Sequence, residues 1–364
     1  MSNKAQVDFT AKRVTNKSSI IFVVTAVLLG VLALLAVLQW QSNLVDEGDL
    51  ALVRSQVEDR LPGGVSLTGS LVFVSAFDRT LFPQRFPVGL QYDLSANTTE
   101  IFFPRPVVSL SLDLGRVVAA TGFVEDSPAL DQIEPIVFDD SLETFVSRHT
   151  SPGFHDTDIA VSPGRLFYSY SYRTELYEEG AESGFGDFAY WIVDVHDFDT
   201  GERVFRVEGA TGGHWLNNDT DLLILRRDGL YLIDLTSMTI LPVLTRFDDL
   251  SADADFILSK DLSLLILTVA TEGWIMLFDA TINTETRVFE LELNTILDQY
   301  ESPWRHPVIS PDKEYFAVYR GVREGSESSE SSVEIWSLSE LDIVSLIRFP
   351  DLDPLVFKLE AWLD

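Results

Sequence analysis

One short phrase returns five times along this chain. An apolar residue is followed by Ser or Asn, then by turn-forming residues, then by an apolar run. It reads Leu110-Ser111-Leu112-Asp113 before Val117-Val118-Ala119, and Val161-Ser162-Pro163-Gly164 before Leu166-Phe167-Tyr168. It returns as Leu216-Asn217-Asn218-Asp219 before Leu222-Leu223-Ile224-Leu225, and as Leu258-Ser259-Lys260-Asp261 before Leu264-Leu265-Ile266-Leu267. The last copy is Ile309-Ser310-Pro311-Asp312 before Phe316-Ala317-Val318. The Ser or Asn positions are 111, 162, 217, 259 and 310, at intervals of 51, 55, 42 and 51 residues. A period of that size means that one supersecondary unit is repeated, each unable to cover its own apolar faces.

Each copy holds four short runs rich in β-branched and aromatic residues, separated by turn residues. The copy from Val308 to Phe349 shows all four: Val308-Ile309, Tyr315 to Tyr319, Val333 to Leu338, and Ile343 to Phe349. Ser, Asn and Asp side chains bond the backbone two residues on, and Pro presets φ, so the phrase is a tight turn from one strand to the next. A second phrase, an apolar strand ending near Asp, follows in Leu230 to Leu235, Trp274 to Asp279 and Trp191 to Asp197. An outer strand closes each unit, as in Arg203 to Val207, Ile240 to Leu244 and Arg287 to Leu291.

Four antiparallel strands repeated at this interval make an all-β propeller. Five full copies start near 107, 158, 213, 255 and 306. Three earlier strands (Leu71 to Ser75, Gly89 to Leu94, Thr99 to Phe103) and one orphan, Leu355 to Trp362, remain. An open ring would expose strand edges. The orphan is therefore expected to complete the first blade from the inside, giving six blades. Seven is the alternative if Gly122 to His155 hides another. The Ser-Pro-Asp turn, the Val333-Glu334-Ile335-Trp336 strand and His196-Asp197-Phe198-Asp199-Thr200-Gly201-Glu202 resemble the repeats of WD40-like and TolB-like β-propellers over roughly residues 65–364, without the Gly-His element of WD40 repeats. That resemblance implies architecture and is nearly silent on function.

Charge narrows the partners. The chain has 364 residues, 57 acidic against 26 basic, and a net charge of −31. Such a surface repels nucleic acid. There is no cysteine, which removes disulfides, thiol catalysis and Cys-zinc sites. No cofactor is expected.

The N-terminus reads differently. From Ser18 to Val45 there is no charged residue, and Ile20 to Leu38 is almost wholly apolar. Nineteen helical residues span about 28 Å, one hydrocarbon core. Lys4, Lys12, Arg13 and Lys17 precede the run and Asp46, Glu47 and Asp49 follow it. That bias predicts residues 1–18 as a cytoplasmic tail, 19–41 as a single transmembrane anchor, and the C-terminal mass outside. A cleaved signal peptide would have a shorter apolar run and a small-x-small site, whereas this one closes on Leu38-Gln39-Trp40-Gln41. Residues 42–64 are expected as a juxtamembrane helix or linker, with Asp46 to Arg60 helical, and 65–364 as the extracytoplasmic propeller.

Candidate chemistry is sparse. His149, His155, Asp156 and Asp158 lie within ten residues and are weak candidates for a divalent metal, with a spacing that fits no compact motif. Asp197 to Gly201 with Glu208 mimics a calcium loop, but Glu202 stands where that loop needs glycine, so a hairpin turn is expected. Asp253 and Asp255 are expected as turn carboxylates. His214-Trp215 and Trp304-Arg305-His306 fall at matching positions of their repeats, near the central channel, and are possible lining residues. No Gly-x-Ser-x-Gly elbow and no convergent catalytic set is found. The expected function is a non-catalytic, membrane-tethered propeller that scaffolds or recognises other envelope proteins. The alternative is a propeller hydrolase or lyase, or a small-ligand sensor, using a site in the central channel.

Overall fold

The computed structural model describes residues 56–59, 66–75, 88–103, 109–113, 116–121, 132–138, 145–147, 151–152, 154–173, 188, 191–248, 250, 252, 254–269, 272–283, 288–298, 304–320, 331–350, 352 and 357–364. All of them belong to the compact unit from Val45 to Asp364. The transmembrane anchor expected over residues 19–41 lies outside the described residues, among which no helix is long and apolar enough to cross a membrane.

The described residues form a β-propeller built from antiparallel sheets. A short strand, β1 (Gln56–Asp59), precedes the first sheet, which contains β2 (Ser70–Ser75), β3 (Val88–Asp93) and β4 (Thr98–Phe103). The second contains β5 (Ser109–Asp113), β6 (Arg116–Thr121), β7 (Gln132–Phe138) and β8 (Phe145–Ser147), with β9 (Ser151–Pro152) paired to β7. The third contains β10 (Phe154–Val161), β11 (Phe167–Arg173), β12 (Trp191–Asp197) and β13 (Arg203–Glu208). The fourth contains β14 (Ala210–Trp215), β15 (Asp221–Arg226), β16 (Gly229–Asp234) and β17 (Thr239–Leu244). The fifth contains β18 (Ala254–Leu258), β19 (Leu264–Val269), β20 (Trp274–Asn283) and β21 (Val288–Asp298). The sixth contains β22 (Trp304–Ile309), β23 (Tyr315–Arg320), β24 (Ser331–Ser337) and β25 (Ile343–Phe349). The last strand, β26 (Lys358–Leu363), returns to pair antiparallel with β2, Leu71 opposite Trp362. The inner strands β26, β5, β10, β14, β18 and β22 neighbour one another in that order and back to β26, which closes the ring.

Burial explains the sequence pattern. The second strand of a unit is covered on both faces by adjacent sheets. Accordingly β2 is buried throughout, as are the first five residues of β15 and the last five of β19. Such strands read as continuous apolar runs rather than alternations. Outer strands such as β13 and β17 stay largely exposed or half-buried.

The recurring phrase forms the expected turn. The Ser162 hydroxyl accepts the Phe167 N–H at 3.1 Å, Ser259 accepts Leu264 at 3.0 Å and Ser310 accepts Tyr315 at 2.9 Å. Three residues after each serine the backbone is left-handed, at Arg165, Leu262 and Lys313. The second phrase caps the outer hairpin. The Asp93, Asp197 and Asp234 carboxylates each accept two backbone N–H groups of the turn that follows. Asp197 is thus a hairpin residue, as its flanking strands led one to expect.

The turns also clasp their neighbours. The Gly164 N–H donates to Asp219 Oδ1 at 2.6 Å, Asn217 Nδ2 donates to the Lys260 carbonyl at 3.1 Å, and the Lys313 ammonium pairs with Asp261. Lys313 and the flanking serines hold the Asp261 carboxyl well below the usual carboxylate range.

Aromatic rings weld the first sheet to the sixth. Phe357 stacks on Phe73 (4.8 Å) and on Tyr319 (4.6 Å), and Phe349 packs on Phe73 (5.1 Å) and Tyr92 (5.6 Å). Each such pair contributes about 0.5–1.5 kcal/mol beyond its buried area.

Two expectations are corrected. The helix expected over Asp46 to Arg60 is not what Gln56–Asp59 form: they are a strand pairing antiparallel with β25, Val57 opposite Ile347. The physical reason is the unpaired outer edge of β25, which offers hydrogen bonds that an isolated short helix lacks. The stretch from Gly122 to His155 holds no additional sheet among the described residues. It supplies β7 and β8 to the second sheet, β9 beside β7, and the start of β10.

Candidate functional site

The inner strands bring polar side chains to the ring axis, and several do so through bulges. In β14, Gly212 and Gly213 stand opposite the single residue Ile224, because Thr211 pairs with Leu225 and His214 with Leu223. In β22, His306 and Pro307 stand opposite Val318, and His306 takes a left-handed φ of 52°. In β26, Glu360 is the extra residue between Leu359 and Ala361. The register of β10 shifts just before Asp158. A bulge re-aims one side chain out of the strand's alternation, and this is how these groups leave the core.

The result is a mixed-charge cluster drawn from distant parts of the chain. The Lys358 ammonium of β26 pairs with Asp158 of β10 across β5, donates to Ser109 Oγ at 2.9 Å, and lies 3.4 Å from Glu360. Glu360 Oε1 accepts the Leu110 N–H at 3.0 Å. On the other side, His306 Nδ1 meets Asp255 Oδ2 at 2.8 Å, and Asp255 Oδ1 accepts the Phe256 N–H at 2.8 Å. A carboxylate partner places the neutral imidazole's proton on Nδ1, leaving Nε2 as an acceptor.

Electrostatics ties the two halves together. Burial works against the Lys358 charge, but Asp158 and Glu360 more than offset it and raise its pKa, with Asp255 adding to the effect from β18. Burial pushes Glu360 up to about 7 despite Lys358 beside it. Burial also works against Asp255, yet the hydrogen bond and charge of His306 leave its carboxyl below the ordinary value. His214, half-buried on β14, is pushed down to about 4 by desolvation and is neutral near pH 7.

The expected site residues divide. His214 and His306 do sit on inner strands. Trp215 does not line the channel: it is buried, its indole donates to the Ala160 carbonyl of the next sheet at 3.1 Å, and it stacks on Phe167. The Trp304 side chain and His149 lie outside the described residues, and for His155 and Asp156 only the backbone, in β10, is described. Asp158 pairs with Lys358. Among the described residues no three His, Asp or Glu converge as ion ligands. Asp255, expected in a turn, is a strand residue facing His306, because β18 starts at Ala254. Asp253 lies outside the described residues.

Lys358, Glu360, Asp255 and Ser109 were missed in the sequence. A usable signal existed: two charged residues, Lys358 and Glu360, interrupt the apolar run of the strand expected at the inner edge of the first blade. A further buried carboxylate, Asp194, is held by Arg206 through two bonds of 2.9 and 3.1 Å and by the Tyr172 hydroxyl at 3.1 Å. This network ties β11, β12 and β13 together within the third sheet.

Comparison with known proteins speaks to the fold alone. No family model matches the chain, and no curated protein matches it. Among solved structures it is similar to the β-propeller domain of Cps50 (Swd1) from Myceliophteria thermophila, at 13% identity and a TM-score of 0.50, covering 79% of this chain and 88% of that one. It is also similar to a protein from Lactobacillus plantarum, at 11% identity and a TM-score of 0.50, covering 82% of this chain and 99% of that one.

Proposed function

We propose that this chain is a non-catalytic recognition scaffold: a six-bladed propeller, tethered by residues 19–41 with its C-terminal mass outside the membrane, that holds other envelope proteins. The observation that carries this reading is how the axial charges are used. Lys358 is spent on Asp158, Ser109 and Glu360, and Asp255 on His306 and the Phe256 N–H, so the channel charges mainly hold the sheets together. The strong negative charge favours basic partners and opposes nucleic acid. The anchor is supported by the uncharged run from Ser18 to Val45 and the basic residues before it.

The test is chemical crosslinking of the tagged full-length chain in intact cells, followed by purification from the membrane fraction. A protein partner recovered at constant stoichiometry, unchanged by His306→Ala, is the expected result. Loss of every stoichiometric partner, together with co-purification of a metal or small molecule, overturns the reading. Resistance of the chain to alkaline extraction, with protease access only from outside, tests the anchor.

A second reading, a propeller hydrolase or lyase or a small-ligand sensor, is favoured by one observation. The Asp255–His306 pair orients an imidazole whose Nε2 is left as an acceptor, with the side chain 23% exposed. Imidazole chemical shifts that move on adding a small-molecule library, and stay fixed in Asp255→Asn, would support it.

A further inference from the structure

The outer edges of the sheets are managed differently. The edge of β25 is covered by β1, four residues long. The edge strand β8 has only three residues. In β17, Pro242 removes an N–H. In β13, Arg203, Arg206 and Glu208 put both charge signs on the strand. In the first sheet the outer strand β4 pairs with β3 alone but has only six residues. The long uncovered edge is β21: it spans eleven residues, pairs among the described residues with β20 alone, and contains no proline.

Its side chains alternate in a particular way. Leu291 and Leu293 stand opposite Ala280 and Phe278, on the face turned to the core shared with the fourth sheet. Glu290 and Glu292 stand opposite Thr281 and Asp279, on the other face, and both are exposed. Leu293 and Ile296 remain 39% and 48% exposed, so the neighbouring sheet does not reach the outer part of this strand. Beside it lies a groove of about 480 Å³, lined by residues 243–246 and 289–292 with Asp279 and Thr281.

We propose that β21 is a docking strand, to which a partner protein adds an extended segment of alternating basic and apolar residues by antiparallel pairing. Such a segment places its basic side chains over Glu290, Glu292 and Asp279 and its apolar ones over Leu291 and Leu293. Charge complementarity selects this occupant. A second copy would bring the same glutamates and another net −31 to the edge, and like charges across a strand pair are destabilising. Strand addition at an outer edge already has a precedent within the molecule, at β1 on β25. The proposal rests on the scaffold reading and names where and what it would hold.

The test uses the full-length chain and a labelled nine-residue peptide alternating Lys and Val. The peptide binds, the amide protons of β21 exchange at least tenfold more slowly, and the Glu/Val counterpart does not bind. Glu290→Lys with Glu292→Lys weakens binding at least tenfold, and Glu290→Gln with Glu292→Gln weakens it by a smaller factor. Equal binding of the acidic peptide, or unchanged exchange of β21 in the presence of the basic one, overturns the proposal. If the crosslinked cellular partner is recovered equally well by the Lys variant, the docking strand is wrong while the scaffold reading stands. If no partner is recovered at all, the scaffold reading fails, and the peptide result still decides whether β21 accepts a strand.

Discussion

The first and fifth sheets have the same four-strand plan and opposite origins. The fifth is one continuous stretch, Ala254 to Asp298, whose strands pair with their sequence neighbours. The first takes its inner strand from the other end of the chain, so that Ser70 pairs with Leu363. The fifth sheet can form as soon as it is made. The first must wait for the whole chain, and the entropy of closing so long a loop is spent before any contact rewards it. Its inner strand is bonded to other sheets through Lys358 and Glu360, and Phe357 just before it stacks on Tyr319 of the sixth. The difference teaches that the first sheet is assembled by pairing between the two ends of the strand order and braced by charge pairs and aromatic stacking, whereas the strands of the fifth are joined by local turns.

Removing residues 358–364 tests this most severely. The edge of β2 and the seam aromatics lose their cover, and the expected outcome is loss of cooperative thermal unfolding, whereas a cut within the outer hairpin of the fifth sheet leaves it intact. Lys358→Met comes next. It leaves Asp158 and Glu360 without their cation, one of them nearly buried, and should lower stability by about 3 kcal/mol in urea unfolding.

Glu360 gives a smaller effect with a defined sign. Its folded value of about 7 lies above its ordinary 4.5, so the folded state holds the proton more tightly. Its contribution is therefore fully present below about pH 4.5 and is lost as pH rises to about 7. Glu360→Gln should flatten that segment of the stability–pH curve. A wild-type curve already flat between those values would sink the assignment. The smallest effect belongs to the continuous sheets: Ser310→Ala removes the acceptor for the Tyr315 N–H and should cost about 1 kcal/mol, with faster amide exchange confined to that turn.

Much of this architecture was readable in one dimension because its rules are local. Ser162, Ser259 and Ser310 mark turns by bonding backbone groups five residues on, and Asp93, Asp197 and Asp234 mark hairpins in the same way. The clasp of Asp219 on Gly164 was not readable, since it joins turns 55 residues apart. The axial cluster was readable only in part. His214 and His306 stood out as rare residues at matching positions. Asp255 passed for a turn carboxylate because nothing near it in the chain announces a histidine 51 residues later. Trp215 misled in the opposite direction: a residue beside a channel histidine points to the other face of its strand and enters the core.

By itself, then, the order of residues determined the repeat, the turns, the return of the last strand to the first sheet and the sign of the surface charge. These follow from side-chain chemistry acting within a few residues, and from the need to leave no inner edge unpaired. Which groups meet on the axis was decided only by the closed ring. Bulges in β14, β22 and β26 turn individual side chains inward, and a partner from another sheet then fixes each one's charge. Lys358 and Asp158 are separated by 200 residues and become neighbours only because six inner strands share one axis.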